Sequence, residues 1–334
     1  MQIGRIGYDG PDGREARIVV ANGEHPWRWV DVRSAERLRL ERLGASVAAA
    51  ARMALAVAPG SLTAALETGP AFLEAARSAL EDPDEDSLIR SDARLIAPID
   101  PPAYRDFMAF EQHFKSFHDR AGTTPPDVLY ELPVSYMGSV QAMLGPDDEV
   151  RWPAYSDVID FELELGIVIG RSGRNITPDT AREHILGFTV FNDFSARDIQ
   201  AHEMTGRLGP SKGKHFASSV GPWIVTADAI DPAALSMSAR VNGETWTSAS
   251  SGTILWSIDE LVAWASTGEN LAAGTLLGTG TVGGGCGAEL ERFLTPGDVV
   301  ELEIEGIGAL RNVIGTDPDS SWRPPSRLAA ERRT

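Results

Sequence analysis

The pattern of hydrophobic and polar positions changes from a two-residue period to a helical period within the first third of the chain. Residues 2–8 and 16–21 alternate well enough to predict two strands, joined by a turn over residues 9–13. Residues 34–82 are rich in Ala, Leu, Arg and Glu at helical spacing, with an interruption at Pro59-Gly60. We therefore predict a small mixed N-terminal domain over residues 1–97, in which strands precede helices.

From residue 98 onward the pattern is one of short apolar segments separated by Gly, Pro and Asp, and Pro101-Pro102 marks the change. The segments that predict strands are residues 161–169, 187–192, 221–226, 236–241 and 299–304. Residues 258–266 predict a helix. Strands and helices do not alternate steadily, so we expect a β-rich α+β fold for a second domain over residues 98–334.

Composition and charge narrow the classes of partner and compartment. The 334 residues carry 48 acids against 30 bases, a net charge of −18, which opposes binding to phosphate backbones and anionic membranes. We expect neither nucleic acid nor a membrane as partner. Cys286 is the single cysteine, so no intrachain disulfide forms and a reducing compartment is favoured. The first ten residues lack the apolar core of a secretory signal, and the Ala-rich run at 46–59 is too short to cross a bilayer. The expected location is cytoplasmic.

Two segments carry acids at alternate positions. In the first, Asp160, Glu162 and Glu164 share one face of a strand, and apolar side chains occupy the other. The second consists of Glu301, Glu303 and Glu305, after a Pro-Gly-Asp turn. A solvated face explains the second segment, and by spacing alone it explains the first equally well.

The acids around the first segment distinguish it from the second. Asp106 lies upstream, and Asp193 lies in an apolar, strand-like run at residues 190–200. Four carboxylates form a hard oxygen site that suits Mg²⁺, Ca²⁺ or Mn²⁺ and disfavours zinc. Asp193 alone is equally well read as a buried structural acid, and Asp198 is expected to be one, paired with its neighbour Arg197.

Four other features carry possible chemistry. Residues 278–283 formally match a dinucleotide-binding glycine motif, but no helix follows to receive a pyrophosphate; a flexible turn, or backbone and the Thr281 hydroxyl close to a ligand, are both open. His113 is either a structural histidine or a proton-transfer group. Lys214 is by default a solvated loop lysine. Cys286 has no base beside it in sequence, so thiol catalysis lacks support.

Several strings of the second domain resemble the fumarylacetoacetate hydrolase family. They are Asp160-Phe161-Glu162-Leu163-Glu164, Asn192-Asp193-Phe194-Ser195-Ala196-Arg197-Asp198-Ile199-Gln200, Leu208-Gly209-Pro210 through Lys214, and Gly280-Thr281 followed by Gly297-Asp298-Val299-Val300. The likeness covers residues 101–318, and the Asn-Asp-x-Ser-Ala-Arg-Asp run is specific. For the fold it implies a β-rich mixed sandwich roll of the α+β class, usually in a homodimer, with a small α/β N-terminal domain before it.

The resemblance also implies a role for each matching residue. The family's metal-ligating carboxylates fall on Asp106, Glu162, Glu164 and Asp193. Its catalytic residues fall on His113, Glu289, which pairs with that histidine, and Lys214. Its substrate-binding residues fall on Tyr136, Arg197, Gln200 and Thr281. Two positions depart from the pattern: Met204 replaces an aromatic substrate contact, and Arg120 only approximates an arginine expected after His113.

The leading functional hypothesis is metal-dependent hydrolysis of a carbon–carbon bond in a 1,3-diketo acid, such as fumarylacetoacetate or an acylpyruvate. His113 and Glu289 would activate water, while a Mg²⁺ or Ca²⁺ ion, or Mn²⁺ in their place, and Lys214 would stabilise an enolate. Decarboxylation, hydration or isomerisation of a related 2-keto acid on the same fold are the alternatives. A structural Ca²⁺ module without turnover is the alternative from another class.

Overall fold

The computed structural model describes residues 1–10, 13–22, 29–89 and 93–327. The strands are β1 (Gln2–Gly10), β2 (Gly13–Ala21), β3 (Val30–Asp31), β4 (Arg94–Ile96), β5 (Tyr104–Phe107), β6 (Ser135–Met137), β7 (Met143–Leu144), β8 (Glu149–Pro153), β9 (Ile159–Asp160), β10 (Leu163–Ile169), β11 (Gly173–Arg174), β12 (Ile185–Asn192), β13 (Ser195–Ala196), β14 (Ser218–Thr226), β15 (Ser236–Val241), β16 (Glu244–Ser250), β17 (Asn270–Leu271), β18 (Leu276–Gly278), β19 (Val299–Ile304) and β20 (Gly308–Asp317). The helices are α1 (Val32–Arg42), α2 (Val47–Val57), α3 (Leu62–Leu66), α4 (Pro70–Glu81), α5 (Glu111–Ala121), α6 (Val128–Glu131), α7 (Arg197–Met204), α8 (Ile258–Ser266) and α9 (Gly287–Leu290).

Two sheets organise the described residues. The large sheet runs in the order β3-β2-β1-β14-β12-β10-β18-β5-β6, and its neighbours are antiparallel except for β18 beside β5. The smaller sheet runs β16-β15-β19-β20-β8. This is the β-rich α+β architecture that the sequence predicts. Because β1 pairs with β14, the N-terminal strands extend the sheet of the C-terminal part, and the division at residue 97 stays a prediction.

The large sheet is covered on both faces. Leu165 and Ile167 of β10 belong to the same buried cluster as Leu302 of β19, between the two sheets. On the opposite face, Val168 belongs to a second buried cluster with Phe72 of α4 and other side chains of the N-terminal helices. Alternate residues of this central strand thus enter different cores. The acid Glu164 lies near the start of the strand.

Several predicted elements are confirmed at the residues expected, among them α8, β15 and β19. Helix α8 begins with a capping box in which the Ser257 hydroxyl accepts from the Glu260 amide and the Glu260 carboxylate accepts in return. Helices α1 to α4 cover the predicted helical stretch, with the break at Pro59-Gly60. Strands β1 and β2 are also confirmed, although residues 11–12 of the predicted turn lie outside the described residues.

The strand predicted over residues 161–169 is shorter than expected. The chain changes partner at this point: Asp160 lies in β9, which pairs with β13, whereas Leu163 begins β10, which pairs with β12. Phe161 and Glu162 therefore lie between two strands. Among the described residues, no helix is both long enough and apolar enough to cross a membrane.

Candidate active site

The four acids predicted as metal ligands meet in one buried cluster at the centre of the large sheet. Asp106 lies in β5, Glu164 in β10, Glu162 just before β10, and Asp193 just after β12. None of the four is more than 5% exposed, and one carboxylate oxygen from each lies within 4.8 Å of the others. We call these four residues the carboxylate cluster.

A glycine-rich segment between the strands makes this close approach possible. A Cβ atom at Gly278 would lie 2.5 Å from Asp106 Oδ1 and 2.7 Å from Glu164 Oε2, so only glycine leaves room for both acids. Gly280 has a φ of +85°, and its amide donates to Glu164 Oε2 at 3.0 Å. Residues 278–282 are buried, which disfavours a flexible surface turn and favours the close-approach alternative.

The electrostatics of the cluster are unfavourable for four acids alone. Burial and the charge of Asp193 raise the pKa of Asp106 well above its usual range. Burial and Asp106 have the same effect on the pKa of Glu164. Buried carboxylates in such contact either take up a proton or bind a positive partner.

Lys214 supplies part of that positive charge. Its Nζ lies 2.5 Å from both Glu162 Oε2 and Asp193 Oδ2. Burial opposes ionisation of Glu162, but Lys214 and Arg197 lower its pKa to about 2. Burial likewise opposes a charge on Lys214, yet Asp193 and Glu162 raise the pKa of its ammonium. Lys214 is therefore a buried cation of the site and not the solvated loop lysine of the default interpretation.

The donor set fits a hard divalent cation. Asp106 Oδ1 is buried and has no hydrogen-bond partner within the part of the chain that the structure describes, although buried polar atoms are nearly always satisfied. The cluster offers only carboxylate oxygens, the ligands that Mg²⁺, Ca²⁺ and Mn²⁺ prefer.

His113 faces the carboxylate cluster from α5. Its Nδ1 lies 3.1 Å from Glu289 Oε2, and its Nε2 lies 3.9 Å from Glu162 Oε1. The Ser116 hydroxyl donates to the other Glu289 oxygen at 2.9 Å. One ring nitrogen is thus held by an oriented carboxylate while the other is directed at the cluster, the arrangement required of a general base.

The short helix α9, which carries Glu289, is fixed from two sides. Arg120 donates to the carbonyl oxygens of Ala288 and Glu289. This arginine therefore helps to position the pair formed by His113 and Glu289, which we call the dyad. On the other side, the Asp160 carboxylate accepts from the amides of Gly287 and Ala288 at 2.7 and 2.9 Å. Cys286 Sγ lies 3.6 Å from Glu289 Oε2, so the cysteine contacts the dyad through its acid.

Arg197 connects this support to the cluster. Its guanidinium lies 2.7 Å from Asp160 and 2.8 Å from Glu162, and it donates to Gln200 Oε1 at 3.1 Å. The expected pairing of Arg197 with Asp198 is wrong. Asp198 instead accepts from the Ser156 hydroxyl at 2.5 Å, because the first turn of α7 directs the two neighbouring side chains apart.

Tyr136 and Thr281 both contact the acids of the cluster. The Tyr136 hydroxyl donates to Asp193 Oδ2 at 2.6 Å, and the Thr281 hydroxyl donates to Glu164 Oε1 at 3.5 Å. Burial and the charge of Asp193 raise the pKa of Tyr136 well above its usual value, so it stays a hydrogen-bond donor. The structure thus places every predicted site residue in or beside one cluster.

An open cavity of about 690 Å³ leads to the cluster. Its floor includes His113, Arg197, Lys214 and Thr281, and Met204 lies on its wall. Sequence reasoning missed three contributors to this site: Asp160, Ser116 and Gly278. Asp160 and Gly278 stood inside motifs that were already noted, whereas no sequence signal distinguished Ser116.

Comparisons with known proteins agree with this geometry. Residues 103–315 match the model of the fumarylacetoacetate hydrolase C-terminal domain. The chain is 33% identical over 251 residues to the mitochondrial oxaloacetate tautomerase of Xenopus laevis, covering 75% of this chain and 76% of that protein. It is 32% identical over 269 residues to an oxaloacetate tautomerase of Bacillus subtilis, covering 77% and 87%.

A solved structure extends the likeness beyond the matched domain. The fumarylacetoacetate hydrolase of Exiguobacterium antarcticum superimposes with a TM-score of 0.68 at 28% identity, over 95% of this chain and 100% of that one. Fold, motifs and relatives agree: the chain belongs to the fumarylacetoacetate hydrolase family.

Proposed function

We propose that this protein is a metal-dependent hydrolase that cleaves a carbon–carbon bond in a 1,3-diketo acid. The observation that carries the proposal is the position of His113, between the Glu289 carboxylate and the carboxylate cluster. Hydrolysis requires a base for water in addition to an enolate-stabilising site, and this pair provides one.

The carboxylate cluster would hold the cation. A bound divalent ion, Mg²⁺ or Ca²⁺ with Mn²⁺ as a further alternative, would supply Lewis-acid polarisation of the substrate. Tyr136, Arg197, Gln200 and Thr281 line the same cavity, and their polar groups would orient the substrate. Arg197 also keeps Glu162 ionised.

The protein's own proton transfers follow from the dyad. His113 Nε2 takes a proton from water as the water oxygen adds to one carbonyl carbon, and Glu289 stabilises the imidazolium through Nδ1–H. The carbon–carbon bond then breaks, and its electron pair leaves as an enolate that recovers a proton from the imidazolium. Lys214 and Gln200 stabilise the negative charge in a preorganised site.

A second candidate is keto–enol tautomerisation of oxaloacetate, the activity named for relatives that are 32–33% identical. This reaction moves one proton between oxygen and carbon and adds no water. His113 can carry that proton as well, so the two reactions differ in whether water enters the product.

The decisive experiment supplies Mg²⁺, Mn²⁺ or Ca²⁺ with fumarylacetoacetate, a panel of acylpyruvates and enol-oxaloacetate, and identifies products by mass. Two acid fragments support hydrolysis. A change in enol absorbance without a change in mass supports tautomerisation, and release of CO₂ supports decarboxylation. Tight cation binding with no turnover on any compound contradicts all of these and supports a structural module.

His113→Ala tests the dyad. We expect kcat to fall about 10²- to 10⁴-fold, the range of general base catalysis, while cation binding measured by calorimetry is retained. His202→Ala is the matched control, because His202 is an exposed histidine of α7 that does not line the cavity. Wild-type turnover by His113→Ala would remove this residue from the mechanism.

A further inference from the structure

The cavity changes character with distance from the carboxylate cluster. Its inner end is polar, whereas its outer wall is formed by side chains of α5, α6, α7 and the segment before β6. The apolar residues of this wall are Met108, Phe114, Phe117, Pro126, Val128, Leu129, Val134, Met204 and Pro210. We call this set the apolar wall.

The apolar wall is held in place by specific contacts. Tyr130 of α6 packs edge-on against Phe114 of α5, with ring centroids 5.4 Å apart, and its hydroxyl donates to Glu111 at 3.0 Å. Trp256 donates to the carbonyl oxygen of Leu129 at 3.1 Å. Helix α6 is thereby fixed against α5 and against Trp256, as expected of a preformed ligand pocket.

Several members of the wall are exposed. Val128, Val134 and Met204 are 43%, 37% and 47% exposed, although they adjoin a polar reaction centre. Contiguous apolar surface of this kind usually marks a place that a ligand or partner covers. Its continuity with the cavity floor favours the part of the substrate that extends away from the cluster.

The charges of the cavity argue against a second carboxylate at the outer end. Arg197 and Lys214 are the only lysine or arginine side chains that line it among the described residues. Arg197 is paired with Asp160 and Glu162, and Lys214 with Glu162 and Asp193. His118 also lines the cavity, and its Nδ1 lies 2.9 Å from Thr123 Oγ1. A carboxylate placed against the apolar wall would therefore lose its hydration without gaining an unpaired lysine or arginine, which is costly.

We propose that the substrate is an acylpyruvate with an apolar acyl group, an alkyl chain or an aromatic ring, and not a dicarboxylic diketo acid. The inference rests on the proposed function for its reactive end, the 1,3-diketo acid at the carboxylate cluster. The acyl group lies along the apolar wall. A volume of about 690 Å³ lies within the range of about 300–1,000 Å³ for pockets that enclose larger ligands, so the cavity has room for the acyl group.

The first test is a chain-length series. Acylpyruvates with progressively longer alkyl groups are compared with compounds of equal length that end in a carboxylate. We expect kcat/KM to rise with each methylene group, by up to about fourfold when the group is fully buried, and the carboxylate compounds to be poorer at every length. A preference for the carboxylate compounds would overturn the inference.

The second test reverses the preference with one charge. Val134→Arg places a cation on the apolar wall, so we expect the ratio of kcat/KM for carboxylate-ended over alkyl-ended substrates to rise about tenfold or more, as for a newly paired charge. Val47→Arg is the matched control, because Val47 is 67% exposed on α2 and does not line the cavity. Val128→Arg repeats the test in case Val134→Arg folds poorly. An unchanged ratio in both wall variants would contradict the inference.

Binding separates this inference from the proposed function. Calorimetry with simple 2-oxo acids, which lack the second carbonyl and so cannot be cleaved in this way, measures the preference of the wall without turnover. Tighter binding of longer alkyl compounds, together with no cleavage of any acylpyruvate, would refute hydrolysis but support the inference that the apolar wall binds the acyl group. Cleavage with no dependence on the acyl group would support hydrolysis and refute the wall.

Discussion

Two segments of this protein carry acids at alternate positions, and their surroundings are opposite. Asp160, Glu162 and Glu164 are at most 4% exposed. Asp160 pairs with Arg197, and Glu162 pairs with Lys214. Glu301, Glu303 and Glu305 belong to β19 or follow it, and they face solvent. Arg240 of the neighbouring β15 binds Glu301 and Glu303 at 2.6 Å.

The difference shows what alternation determines and what it leaves open. In both segments the intervening apolar residues enter the core between the sheets, as Leu163 and Leu302 do. What lies over the polar face differs. A glycine-rich loop and α7 cover the acids around β10, whereas the acids of β19 lie on a partly exposed face beside Arg240. Residues distant in sequence therefore decide whether an acidic face becomes a site.

The largest contrast is expected in stability. Asp160→Ala leaves Arg197 and the amides of Gly287 and Ala288 without their buried acceptor, and loss of one partner in a buried pair costs about 3–5 kcal/mol. Glu301→Ala removes a surface partner of Arg240, which costs about 0–1 kcal/mol. Urea unfolding at pH 7 measures both. A small loss of unfolding free energy in both variants would mean that the difference in burial between the two segments has no effect on stability.

The next contrast concerns the cation. Glu164→Gln should weaken Mg²⁺ or Ca²⁺ binding at least about 100-fold. Loss of a residue that only supports a metal ligand costs up to about 100-fold in affinity, and loss of a ligand itself should cost at least as much. Cleavage of a diketo acid, the proposed reaction, should fall with it, because that proposal places the substrate at the ion. Calorimetry and product assays provide the two readouts.

Glu303→Gln is the control for this variant, since it makes the same substitution on the partly exposed face of β19. Both its cation affinity and its turnover should match the wild-type protein. If Glu164→Gln bound the ion as tightly as Glu303→Gln does, Glu164 would not be a ligand.

The fold was largely predictable from local pattern, and the site only partly. Strand β19 and helix α8 follow from periodicity, which is a local property. Spacing also predicted one strand with Asp160, Glu162 and Glu164 on one face, but the structure divides these acids between β9, the connection after it and β10.

The partners of these acids did not follow from spacing. Asp198 was expected beside Arg197 because it is the neighbouring residue, but tertiary packing brings Asp160 there instead. The contact between His113 and Glu289 joins residues 176 positions apart, and it was expected only through the resemblance of the motifs. Ser116 had no signal, since a helical serine gives no indication of what its hydroxyl will meet.

The smallest expected effect is a pH dependence of the free energy of unfolding that arises from Glu305, which directly follows β19. The Ser236 amide donates to Glu305 Oε2 at 3.1 Å, and this bond holds the pKa of Glu305 below its usual value. A carboxyl whose pKa is lowered by folding stabilises the folded state above its unfolded pKa of about 4.3. That contribution is lost as the pH falls through the lower folded pKa, because the protonated acid binds the amide less strongly. Urea unfolding of wild type and Glu305→Gln from pH 7 to pH 3 should therefore show a small difference that shrinks below about pH 4.3. A difference that stays constant over this range would mean that the charge of Glu305 contributes nothing, and that this strand end is held by its backbone pairing alone.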